Sequence, residues 1–325
     1  MSKLPSRRAF FATFATSVWT QGLTLVTGAL TARLLGPEGR GQFAGAQVWS
    51  GVIAMLALVG VNNALSIRVA KNRAERGAFE RKAVKLGLPL SLAALVIGWV
   101  AMPWLVPADN PDLLWLSRVN LILVPMFVLT SNLMAIDQGC GDFSQFNTAR
   151  NILTPVYLLL LVGLWLAGVR EVVWFLAALL AANFAVLAYR LAVMTRAVTP
   201  DAAPANGELF RTGLPFWITG IVAVLRENAE RLLLMFMLGP APLGLYVVAF
   251  TASGAHLNIS KSLNLIVFSR SAALETKHAL NDGARFFRLM GVMNLVFGMA
   301  MVAVMPLFIW IIYGNKFSDS VMPAM

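Results

Sequence analysis

Charge, cysteine and histidine are scarce in this chain. Of its 325 residues only 13% are charged, cysteine occurs once (Cys140) and histidine twice (His256 and His278). One cysteine excludes an internal disulfide, and two histidines without cysteine spacing exclude a His/Cys metal site. Glycine-rich phosphate loops, nucleophile motifs and paired catalytic carboxylates are also missing, which leaves no built-in ATPase and no hydrolase signature. A soluble domain carries about 25% charged residues. Here 58% of residues are hydrophobic, and a soluble protein so apolar would expose patches that aggregate. The composition therefore excludes an ordinary soluble enzyme, a disordered chain and a disulfide-rich secreted module. A multi-span membrane protein remains, and its 20 Phe and nine Trp suit lipid contact and interfacial anchoring.

Apolar runs fall at about 9–35, 42–67, 83–106, 113–136, 150–168, 171–195, 212–238, 241–268 and 286–313. Each reads as a helix, because a lone strand in lipid leaves its backbone unsatisfied. The fold class is thus an all-α polytopic membrane protein. The first run exceeds a signal-peptide h-region and reads as a retained span. Eighteen Lys and Arg gather on one side, including Lys3, Arg7, Arg8, the Arg68–Lys85 loop, Arg150, Arg190, Arg196 and Arg211. Only Arg33, Arg40, Arg170 and Lys316 fall on the other. This asymmetry places the N-terminus in the cytoplasm. The net charge of +11 then serves topology and anionic headgroups rather than nucleic acid.

A repeat follows. Leu35-Gly36-Pro37 with Gly41 and Phe43 recurs 203 residues later as Leu238-Gly239-Pro240 with Gly244 and Tyr246. Met102-Pro103 matches Met305-Pro306 at the same offset. The offset covers six spans, so both halves enter from one side, as a parallel repeat. Residues 1–199 form an N-terminal lobe of six helices, 200–208 a cytoplasmic linker, and 209–325 an incomplete C-terminal lobe of three helices. Partners for spans four to six would need roughly 80 further residues and three helices.

The run Ala32-Arg33-Leu34-Leu35-Gly36-Pro37-Glu38-Gly39-Arg40-Gly41-Gln42-Phe43 resembles the first external loop of polysaccharide and O-antigen flippases. These belong to the multidrug/oligosaccharidyl-lipid/polysaccharide (MOP) exporter superfamily. Leu238–Tyr246 resembles the family's second-half restart, and Tyr313-Gly314-Asn315-Lys316-Phe317 its short external element after the ninth span. The resemblance implies an alternating-access transporter in the bacterial inner membrane, without cofactor. It would flip undecaprenyl-pyrophosphate-linked oligosaccharide among membrane lipids, for O-antigen, lipopolysaccharide or exopolysaccharide assembly. A polysaccharide polymerase and other assembly proteins are the further partners it implies, and nucleic acid is not one.

Ionisable groups within spans are costly and mark function by default. In span seven, Arg226, Glu227, Glu230 and Arg231 form two i,i+4 pairs, which either neutralise each other or turn an arginine into a cleft. An arginine fork suits phosphate. In span eight, Asn258, Lys261 and Asn264 share a stripe that faces a cavity or a partner helix. Arg118 snorkels to the outer headgroups or lines the cavity, and Arg33 anchors to headgroups or meets the pyrophosphate. Asn120, Asn132, Asp137 and Gln138 make span four polar, and Pro125 predicts a kink there. In-span cations (Arg118, Arg226, Arg231, Lys261) exceed in-span acids (Glu227, Glu230). That balance favours an anionic substrate over the organic cations of a multidrug exporter, while a lipid II flippase stays open. A membrane glycosyltransferase would need external acids, and Asp109 and Asp112 sit in a Pro-rich turn. Arg40, taken as a loop residue, is expected to matter less to export than Arg226 and Arg231.

Overall fold

The structure is a computed structural model. It describes residues 7–195, 205–253, 291–292, 295, 299, 305–307 and 309–320. Its elements are α1 (Arg7–Leu58), α2 (Val61–Lys71), α3 (Arg76–Leu105), α4 (Pro111–Asn120), α5 (Leu123–Cys140), α6 (Phe143–Leu166), α7 (Val172–Ala192), α8 (Asn206–Met237) and α9 (Pro240–Ser253). The described residues among 305–313 are also helical, and a 3-10 helix covers Asn315–Ser320. No strand occurs among the described residues.

The helices run up and down between two ends. The basic end carries the 68–85 cations, and the turn end carries the two Gly-Pro turns. α1 holds two spans joined at Gly36, whose φ of 70° and ψ of −179° break the helix. Gly239 repeats the device with φ 82°. Both positions need glycine for their positive φ, since a Cβ at either would meet nothing within 4 Å. Proline follows each glycine because its fixed φ suits the first helical turn. The second match of the repeat is also alike in place, for Met102 and Met305 are both fully buried.

Several boundaries differ from the sequence expectation. The 68–85 loop is mostly helix: α2 runs to Lys71 and α3 starts at Arg76. Lys, Arg and Glu are good helix formers, so apolar windows trim such ends too early. Of the expected linker, 206–208 already belong to α8. Span four is two helices, α4 and α5, interrupted at Leu121–Ile122. Pro125 cannot donate to Leu121, four residues back, so the break falls before the proline. Leu121 O instead accepts from Val124 N at 2.9 Å. α4 is capped by Asn110, whose side chain accepts from Leu113 N at 2.9 Å.

The spans pack through Phe43, Met102, Leu113, Leu116, Phe175, Met235 and Leu243. Ile97, Trp104 and Leu159 are among the apolar side chains left outward, the arrangement lipid favours.

Five charges fasten the basic end of the bundle. Arg76 on α3 donates to Glu80 (3.0 Å), to Asp137 on α5 (2.5 Å) and to Asp142 before α6 (2.9 Å). Arg190, near the end of α7, donates to Asp137 at 3.1 Å. Glu80, Asp137 and Arg190 are completely buried. The second Glu80 oxygen accepts from Thr195 N at 2.7 Å. Asp142 does two jobs: one oxygen caps α6 through Gln145 N at 3.1 Å and the other takes Arg76. Sequence counting treats Arg76 and Arg190 as topology markers; folded, they tie four helices together.

Removing one member of a buried pair strands the other in low dielectric, which costs about 3–5 kcal/mol. Arg190→Met should therefore lower the detergent-solubilised protein's unfolding temperature clearly, while exposed Lys85→Ala should leave it nearly unchanged. Partial burial pushes the Asp142 carboxyl up, but Arg76 and the Gln145 amide outweigh it and hold the carboxyl below its usual range. A lowered carboxylate pKa adds stability above the unfolded value, about 3.9, that is lost on acidification. Asp142→Asn keeps a competent cap, so its unfolding profile should lose less stability than the native protein's as pH falls below about 4.

Candidate functional site: a cationic central cavity

A cavity of about 480 Å³ opens between the two limbs of α1 and helices α6, α8 and α9. α1's first limb contributes Thr24, Thr27 and Thr31, and its second Arg40, Phe43 and Gln47. α6 adds Thr154 and Tyr157, α8 adds Asn228 and Arg231, and α9 adds Thr251. No Asp or Glu is among the described lining residues.

The two arginines reach the cavity from different halves of the repeat. The chain re-enters helix at Pro37, so Arg40 stands within the first turn of α1's second limb instead of in a loop. This overturns its treatment as an external residue. Its guanidinium stacks on Phe43, 5.4 Å from the ring centroid. Arg231 stacks on Phe250 at 5.1 Å. Stacking holds a guanidinium by its face and leaves its N–H edge free. In both, Nε is buried with no hydrogen-bond partner. Arg40 feels the repulsion of Arg231, and Glu227 and Glu230 attract Arg231 from outside the lining. Buried unpaired donors and like charges together make a site that an anion stabilises.

The threonines add neutral polarity. Thr24 donates to Thr20 O (2.8 Å), Thr27 to Thr24 O (3.0 Å) and Thr31 to Thr27 O (2.6 Å). Thr251 does likewise to Val247 O at 2.7 Å. With protons committed to their own helix, these hydroxyls offer lone pairs to the cavity.

Of the residues singled out in the sequence that are described, the cavity lining takes only Arg231. Arg226 and Glu227 are exposed, and Glu230 is exposed and accepts from Tyr246 Oη. Neither i,i+4 pair of α8 closes to within 4.0 Å among the described residues. Arg33 donates to Ile311 O and to Ile312 O (2.8 Å), carbonyls at the end of the ninth span. Arg118 stacks on Trp99 at 5.2 Å, away from the cavity lining. Asn120 is buried and donates to Ser50 Oγ at 2.5 Å. Asn258, Lys261, Asn264 and His256 lie outside the described residues. Sequence reading missed Arg40 and the threonine stripe. The 20, 24, 27, 31 spacing was a usable signal, for it is a helical face.

The sequence profile of one family, described as polysaccharide biosynthesis protein, matches residues 6–269. The chain belongs to that family. The search of the curated proteins found no match. Among solved structures, an inward-facing multidrug resistance MATE family transporter of the MOP superfamily superposes with a TM-score of 0.61 at 16% identity, covering 100% of this chain and 76% of that one. The outward-facing form of a MATE transporter gives 0.53 at 15%, covering 97% and 84%. A MOP superfamily transporter from Pyrococcus furiosus gives 0.58 at 16%, covering 97% and 78%. That transporter is described as having a binding pocket of reverse polarity, which suggests a different function for it. At these identities the likeness concerns fold. This chain is thus a multi-pass membrane protein of the polysaccharide biosynthesis family, with a fold like that of MOP superfamily transporters.

Stacking predicts that the aromatic partners position the guanidiniums. Phe250→Ala should weaken binding of an anion probe, inorganic pyrophosphate, to the purified protein by a few-fold, about 0.5–1 kcal/mol. Isothermal titration checks this, with Phe236→Ala, an exposed residue outside the cavity, as control.

Proposed function

We propose that the protein flips a lipid-linked oligosaccharide, carried on a pyrophosphate, across the bacterial inner membrane by alternating access. The observation that carries this reading is the pairing of Arg40 and Arg231 in a cavity whose described lining has no acid. Guanidinium is the side chain best suited to bidentate phosphate contact and does not deprotonate in proteins. The threonine, Gln47, Asn228 and Tyr157 groups give sugar hydroxyls neutral partners, while a polyprenyl tail stays in the bilayer. The family match supports a saccharide cargo. A MATE-type exporter of organic cations would want acids where the arginines stand, and two like charges would repel such a cargo. In this reading the basic end is cytoplasmic by the positive-inside rule, the first six spans and the last three belong to separate lobes, and a polymerase receives the flipped unit.

Complementation of a flippase-deficient strain by the complete protein tests the assignment. Arg40→Ala and Arg231→Ala should each cut surface polysaccharide at least about tenfold, the loss of one charge-assisted contact. Arg226→Ala, on the exposed face of α8, should retain most activity. This reverses the order expected from the sequence. Full export by both cavity variants would exclude the cationic-cavity reading.

A further inference from the structure

Close backbone approaches join the helices at both ends of the bundle, and the two differ in construction. At the turn end, the repeat partners meet each other. A Cβ on Gly41 would stand 1.7 Å from Pro240 O, and one on Gly244 would stand 1.9 Å from Pro37 O. This is a reciprocal contact between two unstrained helix starts. At the basic end the approach runs through a broken helix. α1 stops at Leu58 and α2 starts at Val61. Between them Val59 has φ 46° and Gly60 has φ 71°. Positive φ is a true outlier for a β-branched residue and stores strain of about 1–3 kcal/mol.

Three contacts from α8 sit on this break. A Cβ on Gly60 would stand 2.1 Å from Gly213 O. Trp217 Nε1 donates to Leu56 O at 3.0 Å. Glu208 pairs with Arg68 at 2.5 Å. Gly213, Trp217 and Gly220 are spaced four and three apart, so one face of α8 presses on the break. In an unbroken helix Leu56 O would accept from the Gly60 amide, four residues on. At the break Leu56 O accepts from Val59 N at 3.3 Å instead, and Trp217 adds a second donor from α8.

We propose that Val59–Gly60 is the hinge of the basic-end gate, held bent by Trp217 and the Arg68–Glu208 pair. When α8 withdraws, Leu56 O loses the indole and exchanges the Val59 amide for the Gly60 amide. Val59 then relaxes to helical φ, and α1 and α2 run on as one rod. Strain in the shut gate thus favours its release, and the latch opposes it. The inference rests on the transporter reading but not on the identity of the cargo.

The test is labelling of a cavity cysteine in the complete protein, in inside-out membrane vesicles, with no substrate added. Gly51→Cys lines the cavity in open space, and Cys140→Ser removes the native thiol. A membrane-impermeant maleimide reports opening of the basic end. Arg68→Glu should speed labelling about two- to fivefold, the value of a partly exposed pair, and Arg68→Glu/Glu208→Arg should restore the native rate. Val59→Gly accepts positive φ without strain, so it should slow labelling at least about fivefold. Native or faster labelling in Val59→Gly would overturn the hinge, and a charge swap that fails to restore the rate would overturn the latch. Both readouts are independent of the export assay, so a wrong cargo and a wrong gate give different results.

Discussion

Hydrocarbon offers no hydrogen-bond partners, and the structure is organised by that constraint. The described spans are helical apart from short breaks at Gly36, Val59–Gly60 and Leu121–Ile122, and Arg40, Arg231, Asn120 and Asp137 turn inward. Inside, the charges divide into two kinds. At the basic end Arg76 and Arg190 meet Glu80, Asp137 and Asp142, opposite charges that compensate one another. In the middle Arg40 and Arg231 meet aromatic faces and each other, with no described acid in the lining. The first set costs its desolvation and returns it as rigidity among α3, α5, α6 and α7. The second leaves its electrostatic demand to whatever enters.

Rigid and movable parts follow from this division. The paired cluster lies at the same basic end as the Gly60–Gly213 contact, but on α3, α5, α6 and α7. In the proposed alternating-access cycle that contact changes while the bundle beside it does not. The Gly-Pro turns serve the same end: positive φ at Gly36 and Gly239 reverses the chain within a residue or two, which lets Arg40 sit one turn into a helix and face the cavity.

The helices themselves were legible in the sequence, since long apolar runs have one solution in lipid. So was the repeat, whose turns share an αL glycine. Arg231 was legible as a charge inside a span. Arg40 was not, because an apolar window begins span two after it, whereas Pro37 begins the helix before it. The Arg76 and Arg190 cluster was hidden for a different reason. A cation at a helix end satisfies the positive-inside rule whether it faces headgroups or a buried carboxylate, and only the packing of α3, α5 and α7 decides which. The α8 pairs show the converse: i,i+4 spacing permits an ion pair, but Tyr246 takes Glu230 instead.

The central claim is that the cavity recognises an anion joined to a sugar. Competition binding to the complete protein in nanodiscs tests it most directly, with a radiolabelled polyprenyl-pyrophosphate oligosaccharide as ligand. Inorganic pyrophosphate should displace the ligand, and a lipophilic organic cation should not, with affinity falling as salt rises. Displacement by the cation and indifference to pyrophosphate would contradict the claim and return the protein to the cation exporters whose fold it shares.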